Sequence, residues 1–257
     1  MAVLFGGTAL LVLTYMSLWF CIAVWKRDNG IADIAWGLGF VVIAWAIYSM
    51  VSMPDFRSLL VTLLVTLWGL RLVWHIGSRN LASEKEDFRY AKMRKNWGEQ
   101  WIRKSFFRVF MFQGLIMFII SLPIILMPMY VGYPFGLMDI VGIAVFSIGF
   151  LFESVSDYQL RVFKQNPANK GRILMAGLWR YSRHPNYFGE SLVWWGIFCF
   201  SAHTIWAIIA VLGPITITFF LLRVSGIPFL ERRYKDHPEY QAYAERTSIF
   251  IPLPPKV

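Results

Sequence analysis

Apolar residues fall into blocks separated by short polar connections, and most blocks approach the roughly 20 residues that a helix needs to cross a bilayer. The first runs from about Ala2 to Trp25 and stops at Lys26-Arg27-Asp28; the second runs from about Ile31 to Met53, before Pro54-Asp55. A third covers about Leu59 to Ile76, with Arg71 and His75 one turn apart near its end. After a polar stretch from Ser78 to Lys104 comes a fourth, about Phe106 to Tyr130, where Pro123 and Pro128 predict a kink or an exit. A fifth, from Leu137 to about Ser156, continues into a polar helix around Asp157 and Arg161. The loop 165–183 leads to a short sixth block, about Asn186 to Phe200. Ser201-Ala202-His203 separates it from a seventh, about Thr204 to Leu222, and the tail from Arg223 onward is amphipathic. The expectation is an all-α membrane bundle of seven transmembrane helices in a single domain, 1–257, with loops at about 78–105 and 158–185 and a tail at 223–257.

Charge orients this pattern. Connections after the first, third and fifth blocks, and the tail, carry nearly all the Lys and Arg; the others carry almost none beyond Arg57. Positive charge collects on the cytoplasmic side, so the amino terminus is expected outside and the tail inside, in the inner membrane if the source is bacterial. Composition agrees: of 257 residues 57% are hydrophobic and 16% charged, less charge than a soluble domain carries. The net charge of +10 lies in the connections, so it speaks for topology and anionic partners rather than for nucleic acid. Lys85, Lys92, Lys95 and Lys104 read as ordinary decoration of the inner face. The first block lacks a basic leader and a small-residue cleavage site, so no cleaved signal peptide is expected. Cys21 and Cys199 both lie in apolar blocks, which suggests neither a disulfide framework nor a metal site.

One stretch stands apart: Gly177-Leu178-Trp179-Arg180-Tyr181-Ser182-Arg183-His184-Pro185-Asn186-Tyr187-Phe188-Gly189-Glu190. It crowds arginines, a histidine, an asparagine and a glutamate against an apolar helix, where ionisable groups are costly. Pro185 suits the first turn of that helix, and Asn186 and Glu190, four apart, share one of its faces. Arginines for phosphates, an amide and a carboxylate for ring and ribose groups, and a helix start amount to an anion pocket open to the cytoplasm. Helix capping by Asn186 is the plainer reading, compatible with the first. No G-x-G-x-x-G, P-loop or H-E-x-x-H pattern is present.

That stretch resembles the bacterial DUF1295 branch of the steroid 5-alpha-reductase family. Trp68-Gly69-Leu70-Arg71, Asp157-Tyr158-Gln159-Leu160-Arg161 and Asn166-Pro167-Ala168-Asn169-Lys170-Gly171-Arg172 support the resemblance. It implies a seven-helix membrane fold and NADPH-dependent reduction of a carbon–carbon double bond conjugated to a ketone, in a steroid-like or other lipid drawn from the bilayer. By position it implies that Asn186 and Glu190 hold the nicotinamide end and Asp157 the adenosine side. Arg71, Arg161, Lys164, Arg172, Arg183 and Arg223 then fall at basic or cofactor-contacting positions. Departures from the family pattern concern the substrate end: Glu153 replaces an asparagine, and Trp68 stands where steroid reductases have a tyrosine that helps polarise the ketone.

The implied reaction needs a donor at the ketone oxygen. Asp33, at the start of the second helix, is the candidate, kept protonated by an apolar bundle; an ordinary helix-start role is its alternative. Trp68 would pack a flat ring, and Tyr187 completes the catalytic candidates, although a structural role beside His184 is the favoured reading for that pair. A second family, the isoprenylcysteine carboxyl methyltransferases, shares Arg183-His184-Pro185-Asn186-Tyr187-Phe188-Gly189 and uses S-adenosylmethionine. Its tail has paired glutamates where Pro228-Phe229-Leu230-Glu231-Arg232-Arg233-Tyr234 has one. A non-enzymatic lipid-binding protein is the third alternative.

Overall fold

The computed structural model describes residues 1–81 and 86–256; Ser83 and Lys85, in the expected first cytoplasmic loop, lie outside them. All regular structure among the described residues is helical. The chain divides into two compact units, residues 1–135 with 201–213, and residues 136–200 with 214–257.

In the first unit, helix α1 (Ala2–Lys26), α2 (Ile31–Met50) and α3 (Phe56–Leu81) follow the first three apolar blocks. Small residues let α2 and α3 approach closely. A Cβ on Gly69 would lie 2.7 Å from the Gly37 carbonyl oxygen, and one on Gly37 would lie 3.0 Å from that of Gly69. Trp68 is fully buried on this seam, its ring edge-on to Phe40 at 5.6 Å. The polar stretch folds as α4 (Phe88–Trp97) and α5 (Trp101–Ser105).

The expected fourth span is segmented. A wide π turn at Phe106–Met111 leads into α6 (Phe112–Ile120), which stops at Ser121. Then α7 (Leu122–Ile125), opened by Pro123, and a 3-10 turn at Met127–Met129 complete the run. Proline lacks an amide hydrogen and cannot continue the ladder behind it. Arg57, the exception to the charge pattern, is 2% exposed and donates to the carbonyls of Tyr130, Tyr133 and Pro134 at 2.8–3.1 Å. It ties the turn after this run to the start of α3, so it serves packing.

The second unit is built on α8 (Leu137–Gln165), one 29-residue helix that carries the fifth block and its polar continuation without a break. It packs along α9 (Pro185–Cys199) through four glycines. A Cβ on Gly149 would lie 2.7 Å from the Gly189 carbonyl oxygen, and one on Gly196 would lie 2.9 Å from that of Gly142. At 15 residues, α9 is the short sixth block. The last apolar run holds α10 (Ala207–Ala210), α11 (Leu212–Phe219) and a π turn at Phe220–Val224, and continues into α12 (Ile227–Tyr234) and α13 (Pro238–Arg246). Its first residues belong to the first unit and the rest to the second.

Among the described residues five helical runs are long and apolar enough to cross a membrane: 2–26, 31–50, 56–78, 137–165 and 207–234. That is consistent with an integral membrane protein. The segmented run around α6 and the short α9 are the two expected spans outside this set.

Candidate functional site

The second unit gathers the polar residues of the stretch 177–190. Pro185 starts α9 and His184 is its N-cap residue. Asn186 lies one position beyond the proline, and its side-chain Nδ2 donates to Asp157 Oδ1 on α8 at 3.2 Å. Its other side-chain atom, Oδ1, is buried with no hydrogen-bond partner. The expectation that Asn186 caps α9 is therefore corrected: its amide reaches across to α8. The glycine seam makes this possible, because Gly189 has no Cβ to hold the α8 backbone at Glu153 away. Asp157 is 6% exposed and Glu153, one turn earlier, 3%. Glu190 follows on α9, half-buried. Arg161 and Lys164 lie exposed on the last turns of α8, Arg172 is exposed in the following loop, and Arg223 is exposed on the π turn at Phe220–Val224.

Beside Asn186 is a charged hub that sequence reasoning missed. Glu231 of α12 accepts from Arg183 Nη1 at 2.9 Å, from His184 Nε2 at 2.9 Å and from the Tyr240 hydroxyl of α13. Burial lowers the His184 pKa, against the raising influence of Glu231. A neutral ring bonded to Glu231 through Nε2 carries its proton there, which leaves Nδ1 a bare acceptor, buried and unpartnered. Arg183 Nε is likewise buried without a partner. Tyr187 stacks on the His184 ring at 5.6 Å, 12° from parallel. The clue to the hub was in the sequence: Glu231 is an isolated acid on an amphipathic tail segment otherwise marked by Arg232 and Arg233.

The first unit holds a separate cluster around Asp33, in the first turn of α2. Asp33 Oδ1 accepts from the Tyr90 hydroxyl at 2.6 Å and Oδ2 accepts from Arg89 Nη2 at 2.8 Å. Asp87 caps α4 and holds Arg89 at 3.0 Å. Gln113 of α6 donates to the same Tyr90 oxygen at 3.3 Å. Burial first, and the Asp33 charge second, push the Tyr90 phenol well above its usual range, so it keeps its proton. This corrects two expectations. Asp33 neither donates nor caps: it accepts from an arginine and a phenol, and Tyr90 is the donor of the cluster. Trp68, expected to pack a substrate ring, is enclosed between α2 and α3. Arg71 lies on α3, half-buried.

Comparison with known proteins places the sequence in a family. The DUF1295 family, described as "Protein of unknown function", matches residues 19–247. An "Uncharacterized protein" of Schizosaccharomyces pombe is 25% identical over 266 residues, covering 90% of this chain and 74% of its own. A shorter match, 44% identical over 46 residues, is to "Probable O-methyltransferase ustE" of Ustilaginoidea virens; it covers 18% of this chain and 16% of that protein. No solved structure matches. With most of its length matched, the chain belongs to the DUF1295 family, the steroid 5-alpha-reductase-like group.

Proposed function

We propose that the protein is a multi-pass membrane oxidoreductase that uses NADPH to reduce a carbon–carbon double bond conjugated to a ketone in an apolar, lipid-like substrate. Seven crossings, with the amino terminus outside, belong to the same reading. The observation that carries it is the buried, unpartnered Oδ1 of Asn186, held in place by the bond from its own Nδ2 to Asp157. An amide oxygen left bare in a buried site costs free energy unless a ligand donor meets it. The carboxamide of a nicotinamide has that donor.

The residues present fit such a cofactor. Asn186 and Glu190 would hold its nicotinamide end; Asp157, expected on the adenosine side, accepts from Asn186 and would orient it. Arg161, Lys164 and Arg172 are the exposed cations of the same unit suited to its phosphates. Bound there, NADPH would supply a hydride. What the chain adds is orientation and proton control: Glu231 fixes Arg183 and His184, and Tyr187, stacked on that histidine, is a phenol donor in the same unit. The aromatic and aliphatic helices suit a substrate that arrives from lipid.

A second reading is supported by one finding, the short match to a probable O-methyltransferase. In that case the same polar cluster would take S-adenosylmethionine. Titration of the detergent-solubilised protein with each cofactor, followed by tryptophan fluorescence, separates the two. Binding of NADPH, and its oxidation with at least one member of an enone lipid panel, is the expected result. Binding of S-adenosylmethionine alone would overturn the reductase reading.

A further inference from the structure

The second unit also contains a cleft of about 610 Å³ that no part of the proposed reaction uses. Its walls are the 3-10 turn Gly177–Arg180, the end of α13 and the carboxyl-terminal strap. Among the described residues three cations line it, Arg180, Arg246 and Lys256, together with Thr247 and Tyr243, and no acidic side chain does. Its volume lies in the range of small-molecule sites. Neither Asn186, Asp157 nor Glu190 lines it.

The walls are fixed. Gly177 takes a left-handed φ of 63°, and the following Leu178 amide donates to Gln159 on α8 at 3.0 Å. The Tyr243 hydroxyl donates to the Trp179 carbonyl oxygen and, at 3.2 Å, to that of Ser182. The strap is pinned along its length: Ser182 Oγ donates to the Phe250 carbonyl oxygen at 2.7 Å, Leu253 N to that of Tyr181 at 3.0 Å, and Lys256 N to that of Arg246 at 2.9 Å. A binding site built this way needs little ordering when a ligand arrives.

The charge is the informative feature. Three half-buried arginines outside the cleft have carboxylate partners: Arg89 with Asp33 and Asp87, Arg94 with Glu86, and Arg183 with Glu231. In the cleft, Arg246 Nε donates to the Ala242 carbonyl of its own helix, and neither Arg180 nor Lys256 pairs with a carboxylate among the described residues. Three exposed cations around one cleft give it a positive potential that favours an anion. A single carboxylate would be matched by one arginine, whereas a free phosphate or phosphomonoester carries close to two charges and three acceptor oxygens, and a phosphodiester headgroup carries one charge on two free oxygens beside its ester oxygens. Two guanidinium forks, an ammonium and the Thr247 hydroxyl suit that shape.

We propose that this cleft is a phosphate-binding site, distinct from the Asn186 cluster, whose ligand is either a phospholipid headgroup or a soluble phosphate compound. The test compares wild type with the double variant Arg180→Gln/Lys256→Gln, whose two side chains are exposed and leave the pinned strap intact. One arm measures inorganic phosphate binding in neutral detergent by calorimetry. The other measures retention of phosphatidylglycerol over phosphatidylcholine, by native mass spectrometry from mixed nanodiscs. Phosphate binding in the first arm, weakened at least about tenfold in the variant, identifies a soluble ligand. Preferential lipid retention in the second arm, lost in the variant, identifies a headgroup. Arg180→Lys/Lys256→Arg, which keeps the charge, should restore most of either signal, and Asn186→Ala should change neither. No binding in both arms, or equal binding by the folded double variant, would overturn the proposal.

Discussion

At His184 the balance between burial and a carboxylate partner has a measurable consequence. The pKa is lowered in the folded protein, so the native state favours the neutral ring while the unfolded chain takes up a proton near pH 6.5. Stability from this residue is thus present above about pH 6.5 and is lost as the pH falls below it, by at most about 1.4 kcal/mol per pH unit. His184→Gln keeps a donor towards Glu231 but cannot titrate, so thermal unfolding in detergent should depend less on pH between about 7.5 and 5.5. An unchanged pH dependence would show that other groups set the acid limit. Asn186 gives the corresponding binding prediction. Removing its amide in Asn186→Ala should weaken NADPH by roughly 1–3 kcal/mol, about 5- to 150-fold, read as a titration midpoint with the fold intact. At Asp33 the structure changes the expectation. Asparagine offers one oxygen where two partners now bond to two, so Asp33→Asn should lower the unfolding temperature, as should Tyr90→Phe. The double variant should cost less than the sum, since the two share a bond.

The helix pair α8–α9 governs what the sequence could and could not show. The apolar block from Leu137 and its polar continuation through Asp157 and Arg161 predict one helix, and α8 is that helix. Asn186 and Glu190 on one face of the next helix were legible from their spacing alone. The glycines were not, because close packing is a property of two helices and neither sequence segment names its partner. Gly189→Ala tests the seam. A Cβ there would lie 2.6 Å from the Gly149 carbonyl oxygen, backbone that cannot swing aside, so the helices must separate. The expected cost is about 1–3 kcal/mol of stability, and the Asn186–Asp157 bond should lengthen with it. Loss of cofactor affinity beyond the loss of stability would show that the seam sets the site. The Glu231 hub was hidden for a similar reason: two of its three partners, Arg183 and His184, are 48 and 47 residues away in the chain. The breaks around Pro123 were legible as a kink, but the division into π turn, short helices and 3-10 turn depends on local backbone bonds that composition does not encode.

For the whole molecule the testable statement is its orientation in the bilayer. From the charge alternation the loop 165–183 and the tail are expected inside and the α2–α3 connection outside. Arg57, the one cation that broke the pattern, is consumed by three carbonyls of its own unit, so it does not count as a free topogenic charge. Single cysteines report the two faces, in a background where Cys21 and Cys199 are replaced by serine. Ala168, exposed on a 3-10 turn, and Gln241, exposed on α13, mark the expected inner face. Gly132 has the expected outer location, but its φ of 86° would strain a cysteine, so Met53, 81% exposed beside Pro54, is the better marker. A membrane-impermeant maleimide applied to intact cells should label Met53→Cys and spare Ala168→Cys and Gln241→Cys until the membrane is opened. Labelling of Ala168→Cys from outside would reverse the orientation. It would also place the Asn186 cluster and the basic cleft away from cytoplasmic NADPH, and the reductase proposal would fall with the topology.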